Sequence, residues 1–98
     1  FAAWLTQNGH DSKRLAPVAL RGFPDRVVWL NIGVTIYVEM KKRGGRLSYH
    51  QEDWKRRLKK TNQKWYCCYS AEDAIKVVED IIRESTDGQT SQVSSRGG

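Results

Sequence analysis

The chain predicts an α/β domain with its elements in the order α-β-β-β-α-β-α, and three patterns carry that expectation. Two runs rich in β-branched and aromatic residues flank Asn31-Ile32-Gly33 as the arms of a hairpin. Ser48-Tyr49-His50-Gln51 opens an amphipathic helix with a capping box. Lys64 to Tyr69, a short run of high β-propensity, leads straight into a last helix at Ser70-Ala71-Glu72-Asp73. A chain of 98 residues suits one small domain. Such a domain buries a little over ~60% of its unfolded surface.

Taken in order, Phe1-Ala2-Ala3-Trp4-Leu5 reads as the end of a helix, and because the chain opens without Met, further sequence is expected upstream. Gly9 to Ser12 reads as a loop, and Lys13 to Leu20 as a first strand interrupted by Pro17, which suits a sheet edge. The hairpin arms are Pro24 to Leu30 and Val34 to Lys41. If the turn has three residues with Gly33 in the left-handed conformation, Leu30 faces Val34, Val28 faces Ile36 and Asp25 falls opposite Glu39. Val28, Leu30, Val34, Ile36, Val38 and Met40 then share a face of pure core. Asp25, Val27, Trp29, Thr35, Tyr37, Glu39 and Lys41 share the other. After the basic turn Lys42-Arg43-Gly44-Gly45-Arg46, the helix capped by Ser48 runs to about Thr61, with Leu47, Trp54 and Leu58 as its apolar stripe and Gln51 on the same side. The last helix has Ala74, Val77, Val78, Ile81 and Ile82 on one side and Lys76, Glu79, Asp80 and Arg83 on the other, so it packs on the sheet. Ser85 to Gly98 is polar and small, and a disordered tail is expected there, beyond a folded domain of residues 1–84.

Composition narrows the partners. Lys and Arg number 17 against 11 Asp and Glu, a net charge of +6, which favours polyanions by simple electrostatics. The longest apolar stretches, such as Val34 to Val38, fall far short of the ~20 residues of a membrane-spanning helix, and no basic-then-apolar signal segment opens the chain; an intracellular protein away from the membrane is expected. Cys67 and Cys68 are adjacent in an apolar strand, a poor arrangement for a disulfide or a four-ligand zinc site, and read as core filler.

The chemistry concentrates on the hairpin. Directly opposed residues have side chains roughly 5 Å apart. Asp25 and Glu39 at that separation repel one another unless a cation lies between them, which makes a divalent metal the natural third party. Lys41, two residues on, points the same way. Singly these features are bland: Asp25 after a Pro suits a turn, and Glu39 with Lys41 an ordinary solvated ion pair. Their matched register, the Arg21-Gly22-Phe23-Pro24-Asp25-Arg26 lead-in and the inward Gln51 occur together, which favours a site. Hydrolysis of a phosphodiester needs positive charge at the non-bridging oxygens and a competent nucleophile from water, and Mg²⁺ or Mn²⁺ supplies both. Asp25, Glu39 and the main-chain carbonyl of Met40 form a sufficient oxygen ligand set. Lys41 could orient the attacking water, help deprotonate it, or stabilise transition-state charge.

With these motifs the sequence resembles the VRR-NUC domains, the virus-type replication-repair nucleases of the PD-(D/E)xK superfamily. The resemblance rests on Gly22-Phe23-Pro24-Asp25-Arg26, on Val38-Glu39-Met40-Lys41, and on Gly44-Gly45-Arg46-Leu47-Ser48 with Gln51 in the helix that follows; Lys13-Arg14-Leu15-Ala16-Pro17 looks like the family's first strand. It covers roughly Leu15 to Ile82. It implies a restriction-endonuclease-like fold, a mixed sheet flanked by helices, and a metal-dependent nuclease with Asp25 and Glu39 as metal ligands, Lys41 as the catalytic lysine and Gln51 as a positioning residue. The length matches the stand-alone phage proteins, similar to Holliday-junction resolvases that act as homodimers, so the resemblance also implies branched DNA as substrate, a homodimer, and the cytoplasm of a bacterial or phage-infected cell. The family adds a glutamate on the N-terminal helix; here no carboxylate precedes Asp11.

From Lys41 to Lys64 the chain carries Lys41, Lys42, Arg43, Arg46, Lys55, Arg56, Arg57, Lys59, Lys60 and Lys64 against Glu52 and Asp53. Arg21, Arg26, Lys42, Arg43, Arg46 and Lys55 are the expected DNA contacts, with the glycine turn foremost because its backbone can approach a phosphate closely. Read alone, the helix portion favours a solubilising surface over a DNA contact. Recognition of backbone shape is expected over base readout. His10 and His50 have no ligand spacing; His50, near the helix start, could touch a phosphate but reads rather as a surface residue, and among the tryptophans Trp29 lies on the chemical face.

Overall fold

A computed structural model describes residues 1–15 and 21–97 of the chain, with the side chains of the last helix described as far as Thr86. The elements are α1 (Ala2–Gln7), β1 (Asp11–Arg14), β2 (Arg26–Leu30), β3 (Val34–Met40), α2 (Tyr49–Lys60), β4 (Lys64–Cys68) and α3 (Ala71–Gly97). The α-β-β-β-α-β-α order is the expected one. The sheet is mixed, in the order β1-β2-β3-β4, with β1, β2 and β3 antiparallel and β4 parallel to β3.

The hairpin forms because each arm alternates an apolar face and the turn between them satisfies its own backbone. Leu30 pairs with Val34, Val28 with Ile36 and Arg26 with Val38, the expected register. Gly33 sits at φ +81° and donates its N–H to the Leu30 carbonyl at 3.0 Å, a conformation that a Cβ would penalise. Val28, Leu30, Ile36 and Val38 are buried on one face together with Leu5, Cys68, Ala74, Val78 and Ile81, so α1 and α3 cover that side.

The opposite face is more enclosed than its chemistry suggests. Val27, Leu58 and Trp65 are buried there, and Phe23 packs its ring edgewise on Tyr37 at 5.9 Å and on Trp54 at 4.8 Å. The sheet is therefore a middle layer, with α2 on the side that bears the carboxylates. Trp29 escapes this cover and remains 43% exposed.

Helix α2 begins as its sequence predicts. Ser48 Oγ accepts from the Gln51 N–H at 3.2 Å, and Gln51 Oε1 accepts from the Ser48 N–H at 2.8 Å, a reciprocal capping box. It ends at Asn62 with φ +63°, where the Asn62 and Gln63 N–H groups reach back to the Lys59 and Leu58 carbonyls.

One expectation needs correction. Asp11 and Ser12 belong to β1 and not to a loop, because both pair with β2; residues 16–20, including Pro17, lie outside the described residues. His10 is buried: its Nδ1 accepts the Asn31 N–H at 3.0 Å and its ring lies against Trp4 at 6.1 Å, so it ties α1 to the hairpin tip. Of the described side chains of α3, Ile82 is the last that packs on the core. Cys67 and Cys68 are free thiols, Cys68 buried in the core and Cys67 half-buried on the α2 face. Among the described residues no helix is long and apolar enough to cross a membrane.

Candidate active site

Two features deliver Asp25 to its place. Pro24 is fully buried and Phe23 is wedged between Tyr37 and Trp54, which anchors the segment entering β2 to both sheet and helix. Gly22, at φ +82°, lies so close to the start of α2 that a Cβ built on it would collide with the main chain of His50 and come within 2.7 Å of the Gln51 nitrogen. We expect Gly22→Ala to cost at least about 2 kcal/mol, a fall of roughly 10 °C in Tm for a domain of this size, because both the backbone conformation and the packing oppose it. An unchanged thermal melt would show that the loop and α2 are not in contact.

Asp25 continues the β2 ladder in both directions. Its carbonyl accepts the Leu15 N–H at 2.7 Å, and its carboxylate Oδ2 accepts the Met40 N–H at 2.8 Å. Within an extended strand the N–H and C=O of one residue point the same way, so the Met40 carbonyl also faces the Asp25 side of β3. Beyond Met40 the Lys41 N–H donates to the Cys68 carbonyl at 2.9 Å, so β4 holds β3 straight through the site.

Glu39 is 2% exposed and its carboxyl is hydrogen-bonded to that of Asp25. Burial, then the hydrogen bond and the negative charge of Asp25, push the Glu39 carboxyl up from 4.5 to about 8, while the Lys41 ammonium works in the opposite direction. At neutral pH, without a cation, Glu39 therefore keeps its proton. Two oxygen-rich side chains held against each other, with a main-chain carbonyl beside them and an ammonium within electrostatic reach, are a hard donor set that suits a divalent cation such as Mg²⁺. Among the described residues no cluster of three or more His, Cys, Asp or Glu exists, so the protein would contribute few ligands and leave room for water.

The other expected residues divide. Gln51 stands at the start of α2 beside Gly22, but its Oε1 is committed to the cap, which leaves its amide nitrogen as the group that can address a ligand. Lys42 and Arg43 are exposed on a turn closed by the Gly45 N–H to the Lys42 carbonyl at 2.8 Å, and Lys41 runs alongside Gly45. Arg21 and Arg46 are also exposed. Arg26 is placed differently: it alternates with Val27 onto the face away from Asp25 and donates to Ser12 Oγ at 2.9 Å. Lys55 lies over the Trp65 ring with its Nζ 5.3 Å from the centroid, and Arg56 and Arg57 both engage Asp53, Arg57 also stacking on Trp54. The helix is thus partly self-neutralised, and the turn before it carries the less encumbered charge.

The VRR-NUC domain family matches residues 12–72. A solved structure described as a VRR_NUC domain has the same fold, with a TM-score of 0.69 over 79% of this chain and 84% of that one, at 24% sequence identity. Among curated proteins no relative matches the chain in sequence.

Proposed function

Because this chain belongs to the VRR-NUC domain family, one of PD-(D/E)xK-type nucleases, we propose that it is a metal-dependent DNA endonuclease that hydrolyses phosphodiester bonds. The observation that carries the reading is the contact between the Asp25 and Glu39 carboxyls, with Glu39 buried and Lys41 on the same face. Asp25, Glu39 and the Met40 carbonyl are the groups that would hold the cation, which supplies positive charge for the phosphate oxygens and makes water a competent nucleophile at neutral pH. Lys41 presents an ammonium within electrostatic reach of Glu39, where it can steady the attacking water or meet charge as it develops on the phosphate. The Gln51 amide nitrogen, fixed by the cap, can donate to the same phosphate or water.

Lys42, Arg43, Arg46 and Arg21 are placed to hold the phosphate backbone, and this contact should be strongly salt-dependent. Lys42→Ala combined with Arg43→Ala is expected to weaken binding to every DNA sequence alike and to lower the slope of log K against log salt by about two. A titration series with an unchanged slope would move the DNA path elsewhere.

The finer reading is of branched substrates cut by a homodimer, with a flap or nicking endonuclease as the nearest variant of this activity. The rival from another class is a DNA-binding module that keeps the fold without cutting. Cleavage assays with Mg²⁺ on junction, flap and linear duplexes separate them. Junction cutting by a dimer is the expected result, and binding without cutting of any substrate would support the rival.

A further inference from the structure

Beside the carboxylate pair lies a cleft of about 410 Å³ lined by Gly45, Arg46, Leu47, Glu52, Lys55, Trp65, Cys67 and Tyr69. It adjoins the proposed site on two sides: Cys67 is the register partner of Glu39, and Gly45 is flanked by the Lys41 side chain. We infer that this cleft holds one unstacked nucleotide of the strand being cut, next to the scissile phosphate, with its base against the Tyr69 ring. The inference rests on the nuclease reading above and adds to it the state of the substrate at the cut.

The lining has the chemistry of a nucleotide. Tyr69 follows β4 directly and is 45% exposed, so its ring stays open on the cleft that it shares with Cys67. Leu47 and the edge of Trp65 add apolar area. The Glu52 carboxylate can accept from the N–H groups that every base carries on its pairing edge, which makes the site tolerant of sequence. Arg46 and Lys55 supply positive charge for the attached phosphate, and a net charge of +6 on the chain favours the polyanion throughout.

A base inside a duplex cannot reach such a cleft without unpairing, whereas one at a branch point, a flap or a single-stranded end is already free. The protein should therefore prefer DNA with an unpaired nucleotide at the cut. The test uses the full chain in EDTA, so that no cutting occurs, and a duplex bearing 2-aminopurine either paired or unpaired at one position beside a branch. Wild-type protein is expected to bind the unpaired form about tenfold more tightly and to quench its fluorescence by stacking. Tyr69→Phe should retain both effects; Tyr69→Ala and, separately, Arg46→Ala on the exposed turn should lose the preference, with circular dichroism confirming the fold. Equal affinity of the wild type for both forms without quenching overturns the cleft assignment and leaves the nuclease reading intact. Failure of the wild type to bind either DNA overturns both.

Discussion

Glu39→Gln is expected to abolish strand cutting while making the protein, in the absence of divalent cations, more stable than the wild type at pH 9. The two effects have one origin. Glu39 is buried against Asp25 and titrates near 8 instead of 4.5, so between those values the folded state binds a proton that the unfolded chain does not. Stability tied to this group is complete below pH 4.5 and is lost as pH rises through about 8, by something of the order of 4 kcal/mol. A glutamine keeps the hydrogen bond, because its amide nitrogen can donate to Asp25 as the protonated carboxyl does, yet it carries no charge to ionise. Thermal melts in EDTA at pH 5 and pH 9 should show the wild type falling and the variant nearly flat over that range.

The same substitution removes half of the charge that would hold the cation, and a loss of at least about a thousandfold in cleavage is expected. In the wild type, Mg²⁺ should raise Tm most at high pH, since at neutral pH it must displace the Glu39 proton. The variant should show little such rise. Undiminished cutting by Glu39→Gln, or a wild-type Tm indifferent to pH in EDTA, would remove the carboxylate pair from the mechanism.

Lys41→Ala is the second large effect. Lys41 is not part of the core cluster; its main-chain N–H, which pairs with Cys68, is untouched by the substitution. Its ammonium is the positive charge that works against the upward shift of Glu39. Cutting should fall by at least about a hundredfold with DNA affinity and Tm nearly unchanged, because the group assists the transition state more than it assists binding. Glu39 also loses the charge that holds its carboxyl down, so its titration should move further upward. A variant that cuts normally would assign Lys41 to the surface.

Local pattern made much of this legible. The β alternation and the glycine of a three-residue turn are enough to place Asp25 opposite Glu39, because a strand has a period of two and a tight turn admits few registers. The Ser48 and Gln51 cap is likewise contained within four residues. Yet Gln51 also shows the limit: the very pattern that announces the cap consumes its side-chain oxygen, so its role at the site is narrower than its position implies. Arg26, adjacent in sequence to Asp25, is directed to the opposite face, and Lys55 is held by a tryptophan from another strand. Charge counted along a chain does not record which charges are already engaged.

The amino-acid order thus determined the hairpin, its register, the capped helix and the meeting of two acids with a lysine, since each depends on neighbours that the backbone geometry brings together locally. The folded arrangement alone decided that β4 lies parallel beside β3, that Gly22 presses the Asp25 segment onto α2, that His10 is buried, and that Tyr69 lines a cleft with Arg46 and Cys67. Parallel pairing needs a long crossover, and the choice of which helix covers which face is settled by packing between residues far apart in the chain, where no short-range period exists to betray it.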